Sequence, residues 1–76
     1  MVKVYSTDTC MWCTKVKQYL NQLNVDFEDL NVGENINYQE EMIKKSHQTG
    51  VPVLDINGTI IIGFNKEAID NALKIS

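Results

Sequence analysis

A chain of 76 residues with 43% hydrophobic residues has room for one small core, and that apolar fraction excludes disorder. The net charge is −3 and all seven basic residues are lysines, so no basic patch points to nucleic acid. No apolar run approaches the roughly 20 residues of a membrane span, and Met1-Val2-Lys3-Val4-Tyr5 carries no secretory pattern, so the cytoplasm is the expected compartment.

A single domain over residues 1-76 is expected. Val2 to Ser6 alternates apolar and polar side chains and predicts a first strand, closed by Thr7-Asp8-Thr9. Val16, Tyr19, Leu20 and Leu23 fall at i, i+3, i+4 and i+7, which predicts one apolar helix face running to about Asn24. Val25-Asp26-Phe27-Glu28 alternates again and predicts a second strand, parallel to the first because a helix separates them. Asn37 with Glu40 three residues later resembles a capping box, opening a helix through Met42 and Ile43 that Gly50 would stop. Val51 to Ile56 and Thr59 to Ile62 flank Asn57-Gly58, a strong signal for a two-residue hairpin. Asn65 is placed to cap a last helix with Ile69, Ala72 and Leu73 facing inward and Glu67 and Lys74 complementing its dipole. The predicted order is βαβαββα, an α/β arrangement.

Cys10-Met11-Trp12-Cys13 lies between a predicted strand and a predicted helix, a context that points to redox chemistry. At the helix start, free N–H groups and the dipole favour a Cys10 thiolate by roughly 0.3 to 2 kcal/mol, with the Asp8 charge opposing. Cys13 stands three residues before Val16 and seven before Leu20, which turns it toward the buried face. The asymmetry suggests that Cys10 attacks a substrate disulfide and Cys13 resolves the mixed disulfide. A structural disulfide or inert thiols remain the bland alternative, one that a reducing cytoplasm disfavours. Two cysteines and a single histidine, His47, fall short of a zinc site, so no metal is expected. His47 is expected to be a surface residue ending the second helix. Trp12 is either a platform for substrate or a partly exposed aromatic. Pro52 sits where a strand start tolerates its missing N–H.

Taken together, the cysteine motif after a first strand, Thr49-Gly50-Val51-Pro52 before the hairpin and Gly63-Phe64-Asn65 before the last helix resemble a glutaredoxin over essentially the whole chain. The resemblance implies a thioredoxin-like fold, with a four-stranded mixed sheet flanked by three helices. It implies a cis Val51-Pro52 bond against the cysteine loop, where the Val51 backbone pairs with a peptide or glutathione. It also implies a substrate site made of Trp12, Val51, Pro52, Gly63, Phe64 and Asn65. Three segments depart from the family pattern. Met11 and Trp12 replace a proline and a tyrosine, Thr7 stands where a basic residue meets a glutathione carboxylate, and Gly63-Phe64-Asn65-Lys66 replaces a double glycine and acidic pair. In these respects the chain is similar to the glutaredoxin-like redoxins that deliver electrons to ribonucleotide reductase.

The expected function is therefore a dithiol-disulfide oxidoreductase that reduces protein or glutathione mixed disulfides. Its electron source would be glutathione or a thioredoxin-reductase-type flavoprotein, with no bound cofactor, and the protein is expected to be a monomer. Two alternatives stand beside it. One is a glutathione-dependent iron–sulfur carrier that shares a cluster between the Cys10 residues of two subunits. The other is a non-catalytic binding module that docks partners on Trp12, Val51 and Phe64.

Overall fold

A computed structural model describes residues 1–74. Its elements are β1 (Val2–Ser6), α1 (Met11–Gln22), β2 (Glu28–Asn31), α2 (Ile36–Ser46), β3 (Val53–Ile56), β4 (Thr59–Ile62) and α3 (Lys66–Leu73). The sheet order is β2-β1-β3-β4. β1 pairs parallel with β2, and β3 pairs antiparallel with both β1 and β4. The βαβαββα order and the mixed sheet expected from the sequence are both present, and the architecture is thioredoxin-like.

Period-two alternation divides the side chains between two layers. Val2, Val4, Leu54, Ile56 and Ile61 point to one face, where they pack with Val16 and Leu20 of α1 and Ile69 of α3. Tyr5, Leu30 and Val53 point to the other, against Met42 of α2 and Val32. Each fully buried aliphatic side chain contributes roughly 1.5–3 kcal/mol. With α1 and α3 on one side and α2 on the other, the loops leaving β1 and entering β3 meet at one end of the sheet.

The second layer also carries a polar cluster that locks α2 to the strands. The Tyr5 hydroxyl donates to Glu41, Lys45 Nζ donates to the same hydroxyl at 2.9 Å, and Lys45 pairs with Asp55 at 2.6 Å. Burial opposes ionisation of Asp55, but hydrogen bonds from Lys45 and the Gly58 N–H, with the charges of Lys45 and Lys3, outweigh it and hold the carboxyl below its ordinary range. On the other face Lys17 pairs with Asp29 at 2.9 Å, and Ser6 donates to the same carboxylate at 2.7 Å. There too burial works against the carboxylate, and the Ser6 and Lys17 hydrogen bonds prevail and lower its pKa.

Several boundaries differ from the sequence expectation. The second strand begins at Glu28, where Val25 to Glu28 was expected, because pairing with β1 starts at Lys3 opposite Glu28. Val25 and Phe27 instead pack sideways onto the α1 layer from the turn that follows Asn24, whose φ is 57°. That half-burial produces an alternating pattern without a ladder. Asn35, not Asn37, caps α2, accepting from the Asn37 N–H at 2.9 Å. The helix ends at His47 in the left-handed region with φ 60°, before Gly50 is reached. β3 begins at Val53, two residues after the expected start. Lys74 is the C-cap of α3 itself, with φ 58°. The hairpin is as expected: Asn57 and Gly58 have φ 52° and 97°, values that suit a primed turn and favour Asn-Gly. Among the described residues no helix is long and apolar enough to cross a membrane.

Candidate active site

Cys10 is the N-cap of α1, with extended backbone at φ −93° and ψ 112°. Its carbonyl accepts from the Thr14 N–H and hydroxyl, both at 3.3 Å, while its Sγ receives the Cys13 N–H at 3.1 Å. A sulfur in this place does what a serine or aspartate cap oxygen does, taking up one of the unpaired N–H groups of the first turn. The same donor that stabilises the sulfur at rest stabilises a thiolate more, because hydrogen bonds to charged acceptors are the stronger ones. The Asp8 carboxylate, whose charge the sequence sets against that thiolate, accepts from Asn31 Nδ2 at 2.9 Å.

Cys13 lies one turn on, with a relative exposure of 0%, and is joined to Cys10 across a Cα separation of 5.2 Å. Cys10 is partly exposed. The asymmetry expected from the spacing is therefore present. The third contributor is the chain entering β3. The Val51-Pro52 peptide is cis, as the resemblance implied, and the Val51 carbonyl oxygen lies 4.0 Å from Cys10 Sγ. The Pro52 carbonyl in turn accepts from the Gly63 N–H at 2.8 Å, which ties the proline loop to the loop leaving β4. Gly63 has φ 79° with open space where a side chain would stand, so it is the backbone conformation, not crowding, that calls for glycine.

Trp12, Val51, Pro52, Gly63 and Phe64 line a groove of about 280 Å³ beside the cysteines. Five of the six residues that the resemblance assigns to substrate are thus brought together. The sixth, Asn65, stands apart. Its side chain caps α3 by accepting from the Ala68 N–H at 3.1 Å, and it lines a separate depression with Glu67, Ala68 and Asn71. Trp12 is 56% exposed, and its ring centroid lies 6.4 Å from that of Phe64.

Two side chains at this end were not singled out from the sequence. Tyr19, expected only as part of the apolar helix face, lies 5.8 Å from the Phe64 ring. Its hydroxyl donates to Asp70, and that bond, with burial and the charge of Asp70, raises its pKa above the ordinary range. Lys15 lies 4.8 Å from the Trp12 ring centroid. The i, i+3 spacing of Trp12 and Lys15 was a usable signal for that contact, whereas the 51-residue separation of Tyr19 and Asp70 left none.

A partly exposed sulfur at a helix start, a buried partner within bonding reach and an apolar groove alongside suit exchange between this pair and an external disulfide. Among the described residues no three histidine, cysteine or acidic side chains are grouped so as to hold a metal ion.

A family model described as glutaredoxin matches residues 2–61. The chain is similar to an uncharacterized glutaredoxin-like 8.6 kDa protein in the rubredoxin operon of Clostridium pasteurianum, 51% identical over 74 residues that cover 97% of this chain and 99% of that one. Glutaredoxin 3 of Escherichia coli K12 is 37% identical over 62 residues, 82% of this chain and 75% of that one. The glutaredoxin-like protein NrdH of Lactococcus lactis IL1403 is 31% identical over 64 residues, 84% and 88% of the two chains.

Proposed function

This chain belongs to the glutaredoxin family and is a thiol-disulfide oxidoreductase with a redox-active Cys10-Cys13 pair, and from that premise we propose that it reduces protein disulfides by a dithiol route in which Cys10 attacks and Cys13 resolves. The observation that carries the assignment of roles is the unequal placement of the two sulfurs. Cys10 is partly exposed and capped by an N–H, while Cys13 is fully buried.

The Cys10 thiolate attacks one sulfur of the substrate disulfide, forming a mixed disulfide and expelling the other sulfur as a thiolate that takes a proton from solvent. Cys13 then gives up its proton and attacks Cys10 Sγ. The Cys10–Cys13 bond forms, the bond to substrate breaks, and the second substrate sulfur leaves as a thiol. The substrate gains two electrons and two protons; the pair supplies both electrons and the Cys13 proton, and solvent supplies the other proton. The groove formed by Trp12, Val51, Pro52, Gly63 and Phe64 holds the substrate chain against Cys10 during the first step.

A two-electron donor must restore the dithiol, and the site favours a protein donor over glutathione. Thr7 supplies no cation for a glutathione carboxylate, and the lysines of this end, Lys15 and Lys66, lie over the Trp12 and Tyr19 rings and not in the lining of the groove. The Oδ1 of Asn65 is committed to the Ala68 N–H, and the side chain has no charge to meet an ammonium group. We therefore assign recharging to a thioredoxin-reductase-type flavoprotein. The test supplies the oxidised protein in parallel with glutathione plus its reductase and with NADPH plus a thioredoxin reductase, and follows reduction of a model disulfide. Turnover with the flavoprotein at least tenfold above that with glutathione is expected, and the reverse order would overturn the assignment of the donor. Absence of turnover with both, and with chemically pre-reduced protein, would overturn the dithiol route.

A further inference from the structure

The walls of the groove continue into a row of aromatic rings. Phe64 stands between Trp12 and Tyr19, at centroid distances of 6.4 and 5.8 Å. A lysine ammonium lies over each end of this row, Lys15 over Trp12 at 4.8 Å and Lys66 over Tyr19 at 5.2 Å. Neither is among the ion pairs of the described residues, which are Lys17–Asp29 and Lys45–Asp55. Asp8 accepts from Asn31 and Asp70 from the Tyr19 hydroxyl, bonds from neutral donors that leave both carboxylates charged, and Asp70 therefore offsets part of the charge at the Lys66 end. In a protein of net charge −3, the aromatic row beside the redox groove still carries two lysines outside the ion pairs of the described residues.

An apolar floor with a cation at each end is complementary to an extended chain that is apolar around its cysteine and acidic on both sides of it. The two centroid steps together reach at most about four extended residues, so the matching carboxylates stand about that many residues apart along the bound chain. We propose that the preferred substrates of this oxidoreductase are disulfides carried on acidic peptide segments, held with Lys15 and Lys66 against carboxylates flanking the cysteine. The proposal deepens the dithiol reading above and rests on it.

Stopped-flow single turnovers test it without any reductase. Chemically pre-reduced, desalted protein is mixed with symmetrical disulfides of short synthetic peptides bearing glutamate, glutamine or lysine two residues either side of the cysteine, and the emission of Trp12, the one tryptophan of the chain, is followed. Each exposed ion pair is modest and screened by salt, so at low ionic strength the glutamate peptide should react about three- to tenfold faster than the glutamine peptide, and the lysine peptide slower than both. The order should flatten at about 0.5 M salt, where the screening length falls to a few ångströms. The double variant Lys15→Gln/Lys66→Gln should lose the preference, and Lys44→Gln, on α2 across the sheet, should keep it although it also removes a cation. Equal rates for the three peptides, or a preference that survives the double variant, would overturn the proposal while leaving the dithiol route intact. Failure of the wild-type protein to reduce even the glutamine peptide would overturn the dithiol route and the proposal with it.

Discussion

Replacing Asn65 with alanine separates a structural role from a role in substrate binding. The side chain accepts from the Ala68 N–H at 3.1 Å and starts a helix whose Ile69 is fully buried in the core. Loss of such a cap costs about 1 kcal/mol, within a range of roughly 0.5 to 2. A chain of this size unfolds with an entropy near 2.1 cal/mol/K per residue, so 1 kcal/mol lowers Tm by roughly 6 °C. Asn65→Asp retains the acceptor and adds a negative charge where the helix dipole favours one, though Glu67 stands in the same turn. Its Tm should stay within about 2 °C of wild type. Thermal unfolding followed by circular dichroism reads both values. Disulfide reduction assayed about 20 °C below the lower Tm should keep its KM within about twofold in both variants. A Tm unchanged by alanine, with KM raised more than about fivefold, would refute the capping account and return Asn65 to the substrate site.

Other consequences are equally open to measurement. Met42→Ala removes a fully buried side chain from the α2 layer and should cost about 2–5 kcal/mol in denaturant unfolding; a loss below about 1 kcal/mol would contradict the packing described. Gly63→Ala places a side chain at φ 79° and should cost roughly 1 kcal/mol through backbone strain alone, with Gly63→Asn costing less. Both Asp29 and Asp55 have pKa values below their ordinary range when folded. Their contribution is therefore complete above the unfolded carboxyl value near 4 and disappears as pH falls through the folded values. Urea midpoints should drop below about pH 4, and Asp55→Asn should be less stable at pH 7 with a shallower acid decline; an acid decline as steep as that of wild type would count against the Lys45–Asp55 pair as its source.

Much of this architecture is legible in the sequence because it rests on local rules. The hairpin follows from Asn57-Gly58 between two runs of β-branched residues, α3 from its Asn65 cap, and the orientation of Cys13 from its spacing to Val16 and Leu20. Errors arose where a local pattern had two physical readings. Val25 and Phe27 alternate with polar neighbours because a turn sets them against the core, not because they lie in the sheet. The spacing of Asn37 and Glu40 fits a capping box, yet Asn35 begins the helix two residues earlier. The groove was legible only through the family resemblance, since Trp12 at the start of α1 and Val51 and Phe64 in two loops are far apart in the chain. Beyond the i, i+3 spacing of Trp12 and Lys15, the aromatic row left no signal, and neither did the contacts that join Tyr5 and Asp55 to α2, because contacts between distant residues leave no periodicity to read.

The division of labour between the two sulfurs is tested most directly by trapping. Cys13→Ser protein, pre-reduced and mixed with a peptide disulfide, is digested and examined by mass spectrometry. The account predicts a stable mixed disulfide on Cys10, and no peptide adduct when Cys10→Ser protein, which leaves only the buried Cys13, is treated in the same way. An adduct forming as fast on Cys13 in the second protein as on Cys10 in the first would contradict it.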